Sequence, residues 1–145
     1  MVVWDTAGME RMGSLTFHYY HQAHAVLLVY SLNNRTTFDN LDGWNEDAIN
    51  YTKDTKRFLV ATKNDIPQAE VDVSKERTKA FCKRNNISGS YSTSAITGKG
   101  VDEMFEHIVK TLHETVNPVP QPEDVWGVAL QRKSGKKLSK CNGCH

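Results

Sequence analysis

The chain has 145 residues, 39% of them hydrophobic and 24% charged, which suits one soluble globular domain with room for a core. Its formal net charge of +1 argues against a nucleic-acid partner, and no apolar run approaches the roughly 18 residues of a membrane span. Three cysteines, Cys82, Cys141 and Cys144, are too few and too odd a set for a disulfide framework and suit a reducing compartment. Asp5 interrupts the first apolar stretch, so the N-terminus does not read as a signal peptide.

Residues 2–4, VVW, read as a short strand that Asp5 closes. Residues 25–30, AVLLVY, are a continuous apolar run, as expected for a strand covered on both faces. Residues 36–51 read as one helix capped by Thr36 or Thr37, with Phe38, Leu41, Trp44 and Ala48 on one face. FLVA at 58–61 is a second buried strand. Residues 74–85 form a charged helix with Ser74 as its cap, and 91–93 a third short strand. Residues 101–116 are the clearest helix, with Val101, Met104, Phe105, Ile108, Leu112 and Val116 on one stripe. Asp102 and Glu103 fall in its first turn, where the helix dipole favours them. Strands alternating with helices predict an α/β domain with a parallel sheet.

After Val116 the pattern changes. NPVPQP at 117–122 cannot continue a helix, and the rest of the chain has few large apolar residues. Arg132, Lys133, Lys136, Lys137 and Lys140 gather there without an acidic partner. The expected organisation is a domain at 1–116 and a flexible basic tail at 117–145.

Three loops follow three strands: DTAG at 5–8, TKND at 62–65 and TSA at 93–95. A parallel sheet gathers such loops at the carboxyl ends of its strands, where ligands bind. Each motif is weak alone, but their order and spacing together are specific. They resemble the Ras-like small GTPases. WDTAG, the Tyr19–Tyr20 pair, Ala23, the VYSL stretch and the cysteine-ended tail resemble the Rab proteins in particular.

The resemblance implies a P-loop NTPase small-GTPase fold and a GTP/GDP switch dependent on Mg2+ in vesicle and membrane trafficking. Asp5 would hold the magnesium through water. Gly8 would give its backbone N–H to the terminal phosphate, a close approach that a Cβ would block. Asp65 would accept from two edge nitrogens of guanine, a donor pair that adenine does not present. Lys63 would lay its stem along the base. The Ala95 N–H would meet the guanine oxygen, and Ser94 would brace that loop. The ordinary alternative is that these are plain turns and solvated loop residues.

Several positions depart from the family pattern. Met9 stands where a glutamine orients the attacking water, and a thioether cannot donate that hydrogen bond. Slow intrinsic hydrolysis follows, although activating proteins of the Rab family supply an Arg and a Gln in trans. Thr62 replaces an Asn of the guanine loop, as in Rho-type relatives. Ile96 replaces a Lys that acts mainly through its backbone. Ser31 stands where an Asp is common and receives no role.

The sequence contains no G-x-x-x-x-G-K-[ST]. GKG at 98–100 lacks the long loop and the hydroxyl. Aligned on the family, the chain lacks the first two strands, the first helix and switch I, so the expectation is a fragment impaired in nucleotide binding. Whether it is an enzyme therefore stays open. The alternative is a non-catalytic pseudo-GTPase module that competes for Rab partners. Removal of the first strand would leave 2–4 without a neighbour and bare one face of 101–116.

His18, His21 and His24 are spaced three apart; on a helix they fan over about 120°, so only adjacent pairs could share a metal. A surface helix is the expectation there, with Tyr19 and Tyr20 packing. The ending Cys141, Asn142, Gly143, Cys144, His145 has three readings: a zinc half-site, a redox pair or a lipidation site. It matches neither a C-a-a-X box nor the common Rab endings. Prenylation of Cys141 and Cys144 is favoured, because two lipids with basic charge anchor stably. The implied partners are guanine nucleotide, Rab effectors, exchange factors and activating proteins, the Rab escort protein and prenyltransferase. The implied location is the cytosolic face of endomembranes.

Overall fold

Three of the apolar runs become the strands of one parallel sheet. The computed structural model describes residues 2–5, 20, 23–52 and 55–115. In chain order the elements are β1 (Ala25–Ser31), α1 (Arg35–Asp39), α2 (Leu41–Tyr51), β2 (Lys56–Thr62), a 3₁₀ turn (Gln68–Glu70), α3 (Lys75–Arg84), β3 (Gly89–Ser92) and α4 (Val101–Thr115). The strand order is β1-β2-β3. Leu28 lies opposite Leu59, which lies opposite Ser90 on the far side.

Alternation along the strands sends neighbouring side chains to opposite faces. Leu28, Tyr30, Leu59 and Ala61 join Phe38, Leu41, Val73 and Phe81 in one cluster beneath α1, α2 and α3. Phe58 and Val60 join Met104 and Ile108 in a second cluster beneath α4. Phe58–Ala61 are all buried, because β2 is the middle strand and both faces cover it.

Ser74 caps α3, its hydroxyl accepting from the Arg77 N–H at 3.3 Å. The expected single helix at 36–51 is instead two. Asn34, not Thr36 or Thr37, is the first cap, and its side chain accepts from the Thr36 N–H at 3.1 Å. Thr37 spends its hydroxyl on the Asn34 carbonyl and the Ser31 N–H. A ψ of −13° at Asn40 interrupts the helix without leaving the right-handed region. The apolar stripe therefore runs across the break, with Phe38, Leu41 and Ala48 buried.

Three further expectations change. Residues 2–5 form no strand, and Val2, Val3 and Trp4 are exposed; a strand forms only where a neighbouring strand takes up its N–H and C=O groups. β1 is not covered on both faces: α4 packs over β2, and Val29 stays 52% exposed. The third strand begins at Gly89 rather than Tyr91, because pairing with Phe58 and Leu59 recruits Gly89 and Ser90 despite their low strand propensity. His24 sits in a bend before β1, not in a helix. Tyr20 stacks on Tyr51, with ring centroids 5.7 Å apart. His18, Tyr19, His21, Val116 and the whole tail lie outside the described residues.

Candidate functional site

The loops after β2 and β3 meet at the carboxyl ends of their strands. Thr93 continues the line of β3, its N–H donating to the Ala61 carbonyl at 2.8 Å and its hydroxyl to the same oxygen at 3.3 Å. Asn64 then joins the two loops. Its backbone N–H donates to the Thr93 carbonyl at 3.0 Å, and its side-chain amide reaches the Ser92 carbonyl at 3.4 Å. Asn64 lies between Lys63 and Asp65, and its role was missed in the sequence because an Asn in a loop signals only a turn.

Lys63 adopts φ 62°, a left-handed conformation uncommon outside glycine. Its ammonium donates to Asn33 Oδ1 at 3.1 Å, and the Ser31 hydroxyl donates to the same oxygen at 2.8 Å. Ser31, the last residue of β1, and Asn33, just beyond it, thus tie down the Lys63 side chain. Thr62 turns back into the sheet, its hydroxyl donating to the Tyr30 carbonyl at 3.0 Å. Asp65 is exposed, and its carboxylate has no hydrogen-bond or ion-pair partner among the described residues.

The second loop is braced from within. Ser94 is fully buried; its N–H donates to the Lys99 carbonyl at 3.0 Å, its carbonyl accepts from the Gly98 N–H at 2.9 Å, and its hydroxyl accepts from the Thr97 N–H at 3.2 Å. Gly98 and Gly100 both have φ near +75°, and a Cβ on Gly100 would press into the Ser92 carbonyl oxygen. GKG is therefore the turn that returns the chain to α4. Ala95 is exposed, and its N–H donates to no acceptor among the described residues. Ile96 is 85% exposed.

A planar base edge needs an acceptor pair and a donor on neighbouring loops. The Asp65 carboxylate and the Ala95 N–H supply that chemistry on two loops locked together by Asn64, so the described residues fit the base of a guanine nucleotide. Asp5 is the residue expected at the magnesium. Asp5 is exposed in the segment at 2–5, outside the sheet, and no group of three or more His, Cys, Asp or Glu among the described residues could hold a metal ion. Gly8, Met9, Cys141 and Cys144 lie outside the described residues. The concave surfaces of the described part lie elsewhere: about 250 Å³ beside Phe38, Arg77 and Phe81, and about 490 Å³ beside Lys79, Cys82 and Ser90.

The model of the Ras family matches residues 1–114, and the chain belongs to that family. Within it the chain is Rab-like. It is similar to the Ras-related protein Rab-32B of Dictyostelium discoideum, at 32% identity over 98% of this chain and 56% of that protein. It is also similar to the GTP-binding protein ypt4 of Schizosaccharomyces pombe, at 34% over 76% of this chain and 47% of that protein. The Ras-related protein Rab-26 of Mus musculus is 34% identical over 96% of this chain and 53% of its own length. The chain thus spans about half the length of these curated relatives.

Proposed function

We propose that the chain carries the guanine-recognition half of a Rab-type GTP/GDP switch in membrane trafficking. The observation that supports this is the pair of loops joined by Asn64, with the Asp65 carboxylate and the Ala95 N–H left for a base. Asp65 accepts from the two edge donors of guanine, the Ala95 N–H donates to its oxygen, and Lys63 lies along its face. Ser94 holds the backbone that presents Ala95. In the intact switch Gly8 would serve the terminal phosphate and Asp5 the magnesium. Prenylation of Cys141 and Cys144, by a prenyltransferase acting with the Rab escort protein, places the protein on the cytosolic face of endomembranes. No helix among the described residues is long and apolar enough to cross a membrane.

Met9 favours a second reading. With a thioether in place of the water-orienting Gln, the surface near Tyr19 and Tyr20 would engage effectors, exchange factors or activating proteins without hydrolysis of GTP. Titration of the purified 145-residue chain with fluorescent GDP and ADP analogues separates the two. The switch reading expects weak, guanine-selective binding whose selectivity Asp65→Ala abolishes with no change in unfolding midpoint. Equal binding of both nucleotides, or none, favours the non-catalytic module. Mass spectrometry of the cell-derived protein tests the lipid, which adds mass at Cys141 and Cys144.

A further inference from the structure

α3 divides its cations into two sets. Arg77 and Arg84 turn toward the neighbouring helices: Arg77 Nη2 is 2.8 Å from Asp39 Oδ1 and Arg84 Nη2 is 2.5 Å from Asp42 Oδ1. Each guanidinium also lies over a core ring, Arg77 over Phe38 at 5.7 Å and Arg84 over Phe81 at 5.6 Å. Lys75, Lys79 and Lys83 are exposed, four residues apart, and none forms an ion pair with a carboxylate among the described residues. Glu76 forms no ion pair with them and sets one negative charge against three positive ones. Its carboxyl is held below the usual range first by its own backbone N–H and then by the Ser74 hydroxyl, with the two nearest lysines contributing least.

The three lysines form a row about 12 Å long on one side of the helix. Like charges at this spacing repel and weaken a helix, so the row is not explained by the stability of α3. The other long helices are acidic: α2 carries Asp42, Glu46 and Asp47 with no cation, and α4 carries Asp102, Glu103, Glu106 and Glu114 against Lys110. Among the long helices of the described domain, α3 is therefore the positive one. Beside Lys79 and Lys83 lies the shallow depression of about 490 Å³ that Asn86 and Ser90 also line, wide enough for a polar headgroup.

We propose that the Lys75–Lys79–Lys83 row on α3 is a contact for the anionic headgroups of a lipid bilayer. Ammonium groups on flexible stems suit mobile, laterally adjustable phosphates better than a fixed bidentate partner. Phe81, the one aromatic residue between these lysines in sequence, is buried in the core, so the row lacks the exposed stacking platform of a single-stranded nucleic-acid groove. A second basic cluster, from Arg132 to Lys140, precedes the C-terminal cysteines, so two separate parts of the chain carry charge complementary to one membrane. The inference rests on the membrane reading proposed above. Its test needs no nucleotide, so failure of the guanine site would leave the outcome unaffected.

The experiment is partitioning of the full, unprenylated chain onto phosphatidylcholine vesicles with and without phosphatidylserine. The tail is kept in every variant, so its contribution cancels. Each lysine near an anionic surface is worth about fivefold in binding, so the K75Q/K79Q/K83Q variant should bind the phosphatidylserine vesicles about a hundredfold more weakly. K75R/K79R/K83R should bind as the parent does. Circular dichroism checks the fold, and the single variant K79Q, with its about fivefold loss, serves if the triple variant does not fold. Unchanged partitioning of the glutamine variants overturns the proposal. So does a lysine-dependent affinity for single-stranded RNA with none for the phosphatidylserine vesicles.

Discussion

On one face of the sheet, Leu28, Tyr30, Leu59 and Ala61 are buried beneath three helices; on the other, Val29 and Val109 are about half exposed beside α4, which buries Met104 and Ile108. The first face also holds a chain of edge-on aromatic contacts, Tyr30 to Phe38 at 4.9 Å and Phe38 to Phe81 at 5.5 Å. The α4 face has ring contacts of its own, Phe58 to Tyr91 at 6.1 Å and Tyr91 to His107 at 5.8 Å, but they lie over β2 and β3 rather than β1. Residues 28 and 29 are adjacent in one strand with similar side chains, yet one is nearly sealed and the other is open. Burial here is a property of what covers the strand, not of the strand's own composition. The candidate base-binding loops leave from β2, whose centre is buried, and from β3, none of whose residues is buried.

The contrast between the faces is sharpest in urea unfolding. Phe81→Ala should cost about 3–5 kcal/mol, because it opens a cavity beneath α3 and removes the partner of Phe38. Leu28→Ala should cost about 2–5 kcal/mol, and comparable losses at positions 28 and 29 would break the comparison. Gly100→Ala should cost about 1–3 kcal/mol, through both its positive φ and the clash with the Ser92 carbonyl. It should also disturb the Ser94 loop, which a nucleotide titration would read as weaker binding.

Tyr30→Phe is a subtler probe of the sealed face. Its hydroxyl bonds Thr78 Oγ1 at 3.0 Å, a bond worth about 1 kcal/mol. Burial raises the Tyr30 phenol above its ordinary value of 10.0. The folded state therefore holds the proton longer than the unfolded chain does. The associated stability is fully present below the unfolded value and is lost as pH rises through the folded one. An unfolding series into alkaline pH should show that decline in the parent and less of it in Tyr30→Phe. The smallest expected effect is Val29→Ala, within about 0.5 kcal/mol of the parent, since the side chain is already half in water.

Much of the architecture was legible in the residues themselves. Continuous apolar runs at 25–30 and 58–61 located the first two strands, and the stripe from Val101 to Leu112 located α4. Ser74 announced α3 because a hydroxyl just before a helical run satisfies a free N–H. The positions that misled were those whose fate depends on a neighbour. Val2 to Trp4 have strand propensity but form no strand. Gly89 and Ser90 have little propensity, yet pair with β2. Thr36 and Thr37 both looked able to cap a helix, yet Asn34 is the cap and Thr37 accepts from the Ser31 N–H instead.

The candidate site divides along the same line. Lys63, Asp65, Ser94 and Ala95 were named by motif, since their order along the chain carries the resemblance to the Ras family. The sequence by itself determined the alternation of strands and helices, the loops that could hold a base and the residue types they present, because periodicity and turn chemistry are local. Only the tertiary structure decided that Asn64 joins the two loops, that Asn33 and Ser31 hold Lys63, that Gly100 must lack a Cβ, and that one face of the sheet is sealed and the other is not. Those outcomes depend on which backbone groups meet across the sheet, and hydrogen bonds and burial between residues distant in sequence exist only once the strands are paired.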